Sequence, residues 1–544
     1  MTTSRSGAAV DIARSQSLGD IPRRSAARDP EKIAIVHRDV RLTFQEFDDM
    51  VDRVAGALYA RGLRKGDTLA ILSHNCWQYP VLSFATARIG VVFVPVNFML
   101  TAHEVAYILD DCGAAAFVVE DQLVDTADRA LALTTHAVNV RAAIPLSGAQ
   151  SAGWRSTVEW TTAGSPPPAV PIGDDDLIRI MYTSGTESRP KGAMHSSRTL
   201  MWQYMSCLVT GGMSADDVEV HALPLYHCAQ LDNFLSPDLL AGATSIILDR
   251  PDPGAITRAV AAERATKLFC PPTVWISLLT HPDFSAEAFG SLRKGYYGAS
   301  ALPPEVLRRI GSQLPELRLW NFYGQTEMAS LATALGPEDQ ADRPGSAGRA
   351  ALNVQTRIVD ETGAPVPAGE VGEIVHRSPH ATLGYLNQPD KTAEAFRGGW
   401  FHSGDLGHLD DDGYLWVVDR SKDMIKTGGE NVASREVEEV LFEIDGIEEA
   451  AVVGVPHPRW IEAVAAIVVP RSGTTIDEHR ILSHCRERLA GYKVPKYVVA
   501  VARLPKNPSG KILKRELREQ HKDIAAADAP RPDSSSIGQQ EGIS

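Results

Sequence analysis

From Tyr182 to Gly192 the chain reads YTSGTESRPKG, directly after an apolar run of Leu177, Ile178, Ile180 and Met181. Thr183, Ser184, Thr186 and Ser188 can donate hydrogen bonds, Gly185 and Gly192 let backbone amides approach closely, and Lys191 adds a positive point charge. Such a loop holds phosphate. It is not the nucleoside-triphosphate loop GxxxxGK[ST], because Pro190 precedes Lys191 and Gly192 follows it. An ordinary polar connection between a strand and a helix would use the same residue types.

Three later stretches carry comparable chemistry. NFYGQTEM, residues 321–328, offers an aromatic face in Tyr323, a flexible Gly324, the hydroxyl of Thr326 and the carboxylate of Glu327. Those groups suit a nucleotide, and the carboxylate suits a hard cation. FHSGDLGHLDDDGYLWVVDR, residues 401–420, sets Asp405 between Gly404 and Gly407, where one carboxylate can accept from both hydroxyls of a ribose. In PKNPSGKILKR, residues 505–515, a turn of Pro508, Ser509 and Gly510 presents Lys511, a cation able to stabilise charge developing on phosphate. Alone, each stretch also fits a surface turn, and Lys511 a solvated lysine among Lys506, Lys514 and Arg515. His227 and Cys228 are adjacent, but sequence neighbours seldom present a nucleophile and its base to each other, so buried packing is the simpler reading.

The elements that must position these groups alternate. Strand-like runs (KIAIV, TLAIL, VVFVPV, AAFVVE, ATSIIL) interleave with helix-spaced segments between about residues 29 and 418, which predicts an α/β architecture. After the phosphate-holding loop, Ser196 and Ser197 are candidate caps for a helix through Leu200, Tyr204, Cys207 and Leu208, giving strand, loop, helix. Asp412-Gly413 between apolar runs predicts a hairpin. Beyond Asp419 the texture changes: a charged segment, a helix with Val437, Val440, Leu441 and Ile444 on one face, two strands, a helix over 481–489 and a strand over 497–501. This is a small α+β unit. The expected division is a large multi-subdomain N-terminal domain over 1–420, a small mobile domain over 421–524 and a disordered tail over 525–544, rich in Ala, Pro, Ser, Gln and Asp.

Composition removes several classes. The chain has 544 residues, 44% hydrophobic and 22% charged, with a net charge of -14 that argues against a nucleic-acid scaffold and gives no broad attraction to anionic membranes. Six cysteines lack zinc-ligand spacing and the density of a disulfide framework, which fits a reducing compartment. No secretory apolar segment opens the chain and no run reaches the ~18 apolar residues of a membrane span, so a cytoplasmic protein without integral membrane association is expected.

Taken in order from 182 to 515, the motifs resemble those of the adenylate-forming acyl-CoA synthetases, relatives of firefly luciferase and of peptide-synthetase adenylation domains. The resemblance implies an ATP-dependent acyl-CoA synthetase, an acid–thiol ligase: a carboxylate attacks the α-phosphate of Mg-ATP, pyrophosphate leaves, and the thiol of coenzyme A then displaces AMP. It makes Thr183, Ser184, Gly185, Thr186, Glu187 and Lys191 the phosphate contacts. Asn321, Tyr323, Gly324 and Thr326 would serve the adenine and α-phosphate, Thr186 and Glu327 the magnesium, and Asp405 and Arg420 the ribose. Lys422 stands where the family has its hinge, Gly428, Gly429 and Glu430 in the loop used for thioester formation, and Lys511 at the lysine of the first transition state.

His227 resembles a histidine on the acyl side, and Gly298, Ala299 and Ser300 align with the family's GGAPL. Four departures stand out: Glu187 and Ser188 replace a usual threonine and glycine, Tyr297 stands where glycine is common, and Ser300 where proline is common. Apolar and aromatic residues around Trp202, Tyr204, Phe234, Trp275 and Tyr297 point to a medium- or long-chain fatty acid. Short-chain, aromatic and sulfur-containing acids are the alternatives, with a carrier-protein-loading enzyme, a luciferase-like oxygenase and an inactive nucleotide-binding regulator as further ones. The expected partners are the acid, ATP and CoA, without nucleic acid, and a homodimer is compatible with the sequence.

Overall fold

Continuous apolar runs become buried strands because parallel strands are covered on both faces. The computed structural model describes residues 10, 13–148, 153–162, 164–183, 190–298, 302, 304–420, 423–427, 430–457, 459–475, 477–507 and 511–525. Among the described residues, seven strands form one sheet in the order Arg155–Ser156, Val140–Ile144, Ala114–Glu120, Thr68–Leu72, Val92–Val96, Leu177–Thr183 and Lys191–Ser196. All pairs but the last are parallel. A second, nine-stranded sheet runs Arg349–Ala350, Thr333–Leu335, Arg318–Tyr323, Lys294–Gly298, Lys267–Phe269, Val218–His221, Thr244–Ile247, Ile33–His37 and Val40–Thr43. Its pairs from Arg318–Tyr323 through to Ile33–His37 are parallel too, and those outside them antiparallel. The predicted runs TLAIL and AAFVVE fall within the strands found.

The chain divides into two compact units, the described residues of 1–403, 407–417 and 508–511 in one, and those of 404–406, 418–507 and 512–544 in the other. The smaller unit is a sheet in the order Glu430–Val432, Ile425–Thr427, Ile461–Pro470 and Ile447–His457, with Tyr497–Ala500 parallel to Ile461–Pro470. Helices Ser434–Phe442 and Glu478–Arg488 bring Val437, Leu441, Ile481 and Cys485 to its core.

After residues 184–189 the structure inserts a strand, Lys191–Ser196, before the helix Ser197–Thr210. KGAMHS lacks the β-branched alternation that marks a strand in sequence. It is made a strand by pairing on both edges, antiparallel to Leu177–Thr183 on one side and bonded to residues 383–386 on the other. Ser196 caps the helix as expected: its hydroxyl accepts from the Thr199 amide at 3.3 Å, and the Thr199 hydroxyl accepts in turn from the Ser196 amide at 2.9 Å.

The aromatic residues that pointed to a fatty acid are mostly core. Phe234 stacks on Phe269 at 4.4 Å and Phe322 at 5.7 Å, and the Trp275 indole donates to the Tyr296 carbonyl at 3.0 Å. Tyr204 donates to Asp232 at 2.8 Å and Tyr297 to Gln340 at 2.9 Å. Trp202 is instead 43% exposed. Their apolar content fills the interior, as large apolar side chains generally do.

Candidate active site

The residues flanking the expected phosphate loop are fixed by the antiparallel pair Thr183 with Lys191, whose backbone carbonyl the Thr183 hydroxyl faces at 3.5 Å. Ser184, Gly185, Thr186, Glu187 and Ser188 lie outside the described residues, as do Ala299, Ser300, Lys422, Gly428 and Gly429. The Lys191 ammonium lies over the Tyr385 ring, 5.2 Å from its centroid.

Tyr323 ends the strand Arg318–Tyr323, with its ring half-buried and its hydroxyl accepting from the Gln325 side-chain Nε2 at 2.7 Å. Chain reversal follows at Gly324, where a Cβ would lie 2.1 Å from the Ser330 carbonyl oxygen, so only glycine fits. Gly298 meets the same constraint, since a Cβ there would stand 2.5 Å from the carbonyl oxygen of Phe322 on the neighbouring strand. Asn321 is turned inward, donating to the Ser346 carbonyl at 2.9 Å.

The turn Thr326–Met328 closes with Ala329 at φ 56°. The Thr326 hydroxyl lies 3.3 Å from the Cys228 sulfur, and burial raises that thiol to about 11, so it is not a nucleophile. One Glu327 carboxylate oxygen accepts from the Tyr385 hydroxyl at 2.7 Å, and the Glu327 backbone carbonyl accepts from the Thr382 amide at 2.7 Å. No described residue bonds the second carboxylate oxygen. A half-buried carboxylate with one oxygen braced and the other unclaimed suits a hard divalent cation such as Mg2+.

His227 begins the short helix Cys228–Gln230, its Nδ1 accepting from the Ala229 amide at 3.1 Å. Loss of solvent, reinforced by the positive charge of Lys511, lowers it to about 4, so it is neutral at pH 7 and offers an Nε2 donor. Lys511 is exposed and falls with the larger unit.

Three residues absent from the sequence reading surround the 321–328 turn. His195, His376 and His380 are buried, and desolvation lowers them to about 3, 3 and 4. The Nδ1 of His380 donates to the Met328 carbonyl at 2.7 Å, and His376 lies 6.0 Å from the Tyr323 ring centroid. A lone histidine in an apolar run gives no sequence signal for such a role.

In the smaller unit Asp405 is buried and paired with Arg420, Nε to Oδ1 3.2 Å. The next carboxylate, Asp419, was also missed in sequence. It accepts from the Ser434 amide at 2.6 Å and the Ser434 hydroxyl at 2.7 Å, tying the strand Leu415–Arg420 to the helix that follows. Glu430 is exposed at the start of its strand, opposite Thr427.

Comparison with known proteins adds the following. Residues 22–386 match the profile of the AMP-binding enzyme family, and residues 436–511 that of the AMP-binding enzyme C-terminal domain. The chain is 40% identical to a feruloyl-CoA synthase of Amycolatopsis sp over 505 residues, covering 93% of this chain and 99% of that protein. It is 33% identical to the long-chain-fatty-acid–CoA ligase FadD13 of Mycobacterium tuberculosis, covering 93% and 99%. Among solved structures, the ATP-bound MatB of Rhodopseudomonas palustris superimposes with a TM-score of 0.85 at 34% identity, covering 94% of this chain and 100% of that one.

Proposed function

From the premise that this chain belongs to the AMP-binding enzyme family and is an acid–thiol ligase that makes acyl-CoA through an acyl-adenylate, we propose that its acid is an aryl carboxylic acid of the ferulate type. Enzymes of this class use ATP, Mg2+ and CoA. The observation carrying the aryl reading is the 40% identity to a feruloyl-CoA synthase along nearly the whole of both chains, against 33% to a fatty-acid ligase over the same span.

In this reading the acid's carboxylate attacks the α-phosphorus of ATP, the bond to the bridging oxygen breaks and pyrophosphate leaves. The CoA thiol then loses its proton and adds to the acyl carbon, and AMP leaves. Thr183, Lys191 and the loop between them hold the phosphates, and Lys511 offsets negative charge in the first step. Tyr323, Asp405 and Arg420 serve the nucleoside, and Glu327 with Thr186 would hold Mg2+, which would neutralise phosphate charge. A neutral His227 is free to donate from Nε2 to an acyl-side oxygen without adding charge. No helix among the described residues is long and apolar enough to cross a membrane, and all six cysteines are free and buried.

The test is pyrophosphate release from purified protein with Mg-ATP and a panel of ferulate-type, C2–C4 and C12–C16 acids, each with and without CoA. Aryl acids are expected to give the highest kcat/KM, with acyl-CoA accumulating. A maximum at C12–C16 overturns the aryl assignment in favour of a fatty acid, and adenylate without thioester points to a carrier-protein acceptor.

A further inference from the structure

Tyr385 lies on a segment that no chemical motif marked in the sequence, yet it touches both charged groups of the phosphate end. Residues 383–386 run along the free edge of strand Lys191–Ser196: the Leu383 amide donates to the Met194 carbonyl at 2.8 Å, Met194 to Gly384 at 3.0 Å and Leu386 to Gly192 at 2.8 Å. At Gly384 φ is +125°, and a Cβ would meet Thr392 Cγ2 at 2.7 Å, so glycine sets the bend into Tyr385. The Tyr385 amide is held in turn by the Thr392 hydroxyl at 2.9 Å.

This places a 7%-exposed tyrosine with its hydroxyl on Glu327 at 2.7 Å and its face under Lys191 at 5.2 Å. Thr382, three residues earlier, donates its amide to the Glu327 carbonyl at 2.7 Å. One short segment therefore grips Glu327 at backbone and side chain together. A carboxylate with one oxygen pinned keeps its other oxygen aimed.

We propose that Tyr385 is a positioning residue that presents Glu327 to a divalent cation and, through its ring, couples that carboxylate to the phosphate-binding Lys191. The proposal rests on Glu327 being the metal-binding carboxylate, and it adds how that carboxylate is aimed and why cation and phosphate sites are mechanically one unit. Removing the hydroxyl alone severs the first link, while removing the ring severs both.

The experiment compares Tyr385→Phe, Tyr385→Leu and Glu327→Gln with the wild type. Binding of Mn2+ is followed by electron paramagnetic resonance in the presence of a non-hydrolysable ATP analogue, and pyrophosphate release is titrated with Mg2+ at saturating ATP. Tyr385→Phe is expected to weaken Mn2+ binding and raise the half-saturating Mg2+ about 5–10-fold, the net scale of one hydrogen bond, with the rate recovered at high Mg2+ and the thermal midpoint unchanged. Tyr385→Leu is expected to raise the KM for ATP about threefold in addition, as Lys191 loses its ring. If Glu327→Gln weakens Mn2+ while Tyr385→Phe matches wild type, or if Tyr385→Phe lowers the midpoint and weakens every ligand alike, the positioning role is overturned. If Glu327→Gln itself leaves Mn2+ binding at the wild-type level, the reading of Glu327 fails instead.

Discussion

The interiors of the two units are built on different principles. In the larger unit charge is buried outright: Lys267, fully enclosed, bonds Asp238 and lies 2.8 Å from Glu219, both equally enclosed, and Arg179 bonds Asp232 with Ser83 at 2.6 Å. In the smaller unit the two long strands bury Ala450, Val452, Val453, Val464, Ile467 and Val468, and the ion pair Lys514–Glu438 keeps side-chain exposures of 18% and 16%. Lys267 sits two strands from Arg318–Tyr323, which carries Tyr323. Buried charges tolerate few alternative arrangements, because any misplacement leaves one unpaired. Aliphatic side chains accept many. The difference teaches that the fully enclosed ion clusters are concentrated in the larger unit, beside the strands that carry Tyr323 and Lys191, whereas the core of the smaller one rests on aliphatic packing, with Asp405 and Arg420 paired nearer its surface.

Breaking the charged cluster should have the largest effect on stability. Lys267→Met leaves two enclosed carboxylates without their cation and is expected to cost the larger unit about 3–5 kcal/mol, read as a lower calorimetric transition. Adding Asp238→Asn should return part of that loss; a double variant no better than the single one would mean that packing, not charge, dominates there.

The next effect is on pH. His195, His376 and His380 are held at about 3, 3 and 4, below the unfolded value near 6.5, so their contribution is complete above pH ~6.5 and is lost as pH falls toward those values. Between pH ~6.5 and ~4 the unfolded chain alone takes up these protons. Each imidazole should then lower stability by about 1 kcal/mol per pH unit, and Asn at His380 should flatten the slope by one such share. An unchanged slope in unfolding at pH 4.5–6.5 would refute this.

The smallest effect is expected in the smaller unit: Ile467→Val, in its aliphatic sheet, should cost only about 0.5–1.5 kcal/mol in that unit's transition. A loss as large as that of Lys267→Met would erase the contrast.

Legibility in sequence followed the range of the interactions. Leu69 to Leu72 and Phe117 to Val119 declare their strands because burial on both faces shows as an unbroken apolar run. The helix after Ser196 declares itself through a local cap. The four chemical stretches were visible because each packs its reactive types into a few residues. Strand Lys191–Ser196 was invisible, since its pairing comes from segments before and far after it. Tyr385 shares that cause: its partners Glu327 and Lys191 lie 58 and 194 residues away in order, and only the sheet edge joins them. Buried Lys267 and the three histidines were equally silent, because a polar residue in sequence does not announce whether water or a partner will meet it.

The enclosed thiols give the molecule a built-in clock for its own opening. Cys76, Cys112, Cys207, Cys228 and Cys270 sit in the larger unit and Cys485 in the core of the smaller, all free and all shielded. Since only a solvent-reached thiolate reacts, the order in which these positions take up an alkylating label reports which core breathes first, and at what free energy, with no change to the sequence.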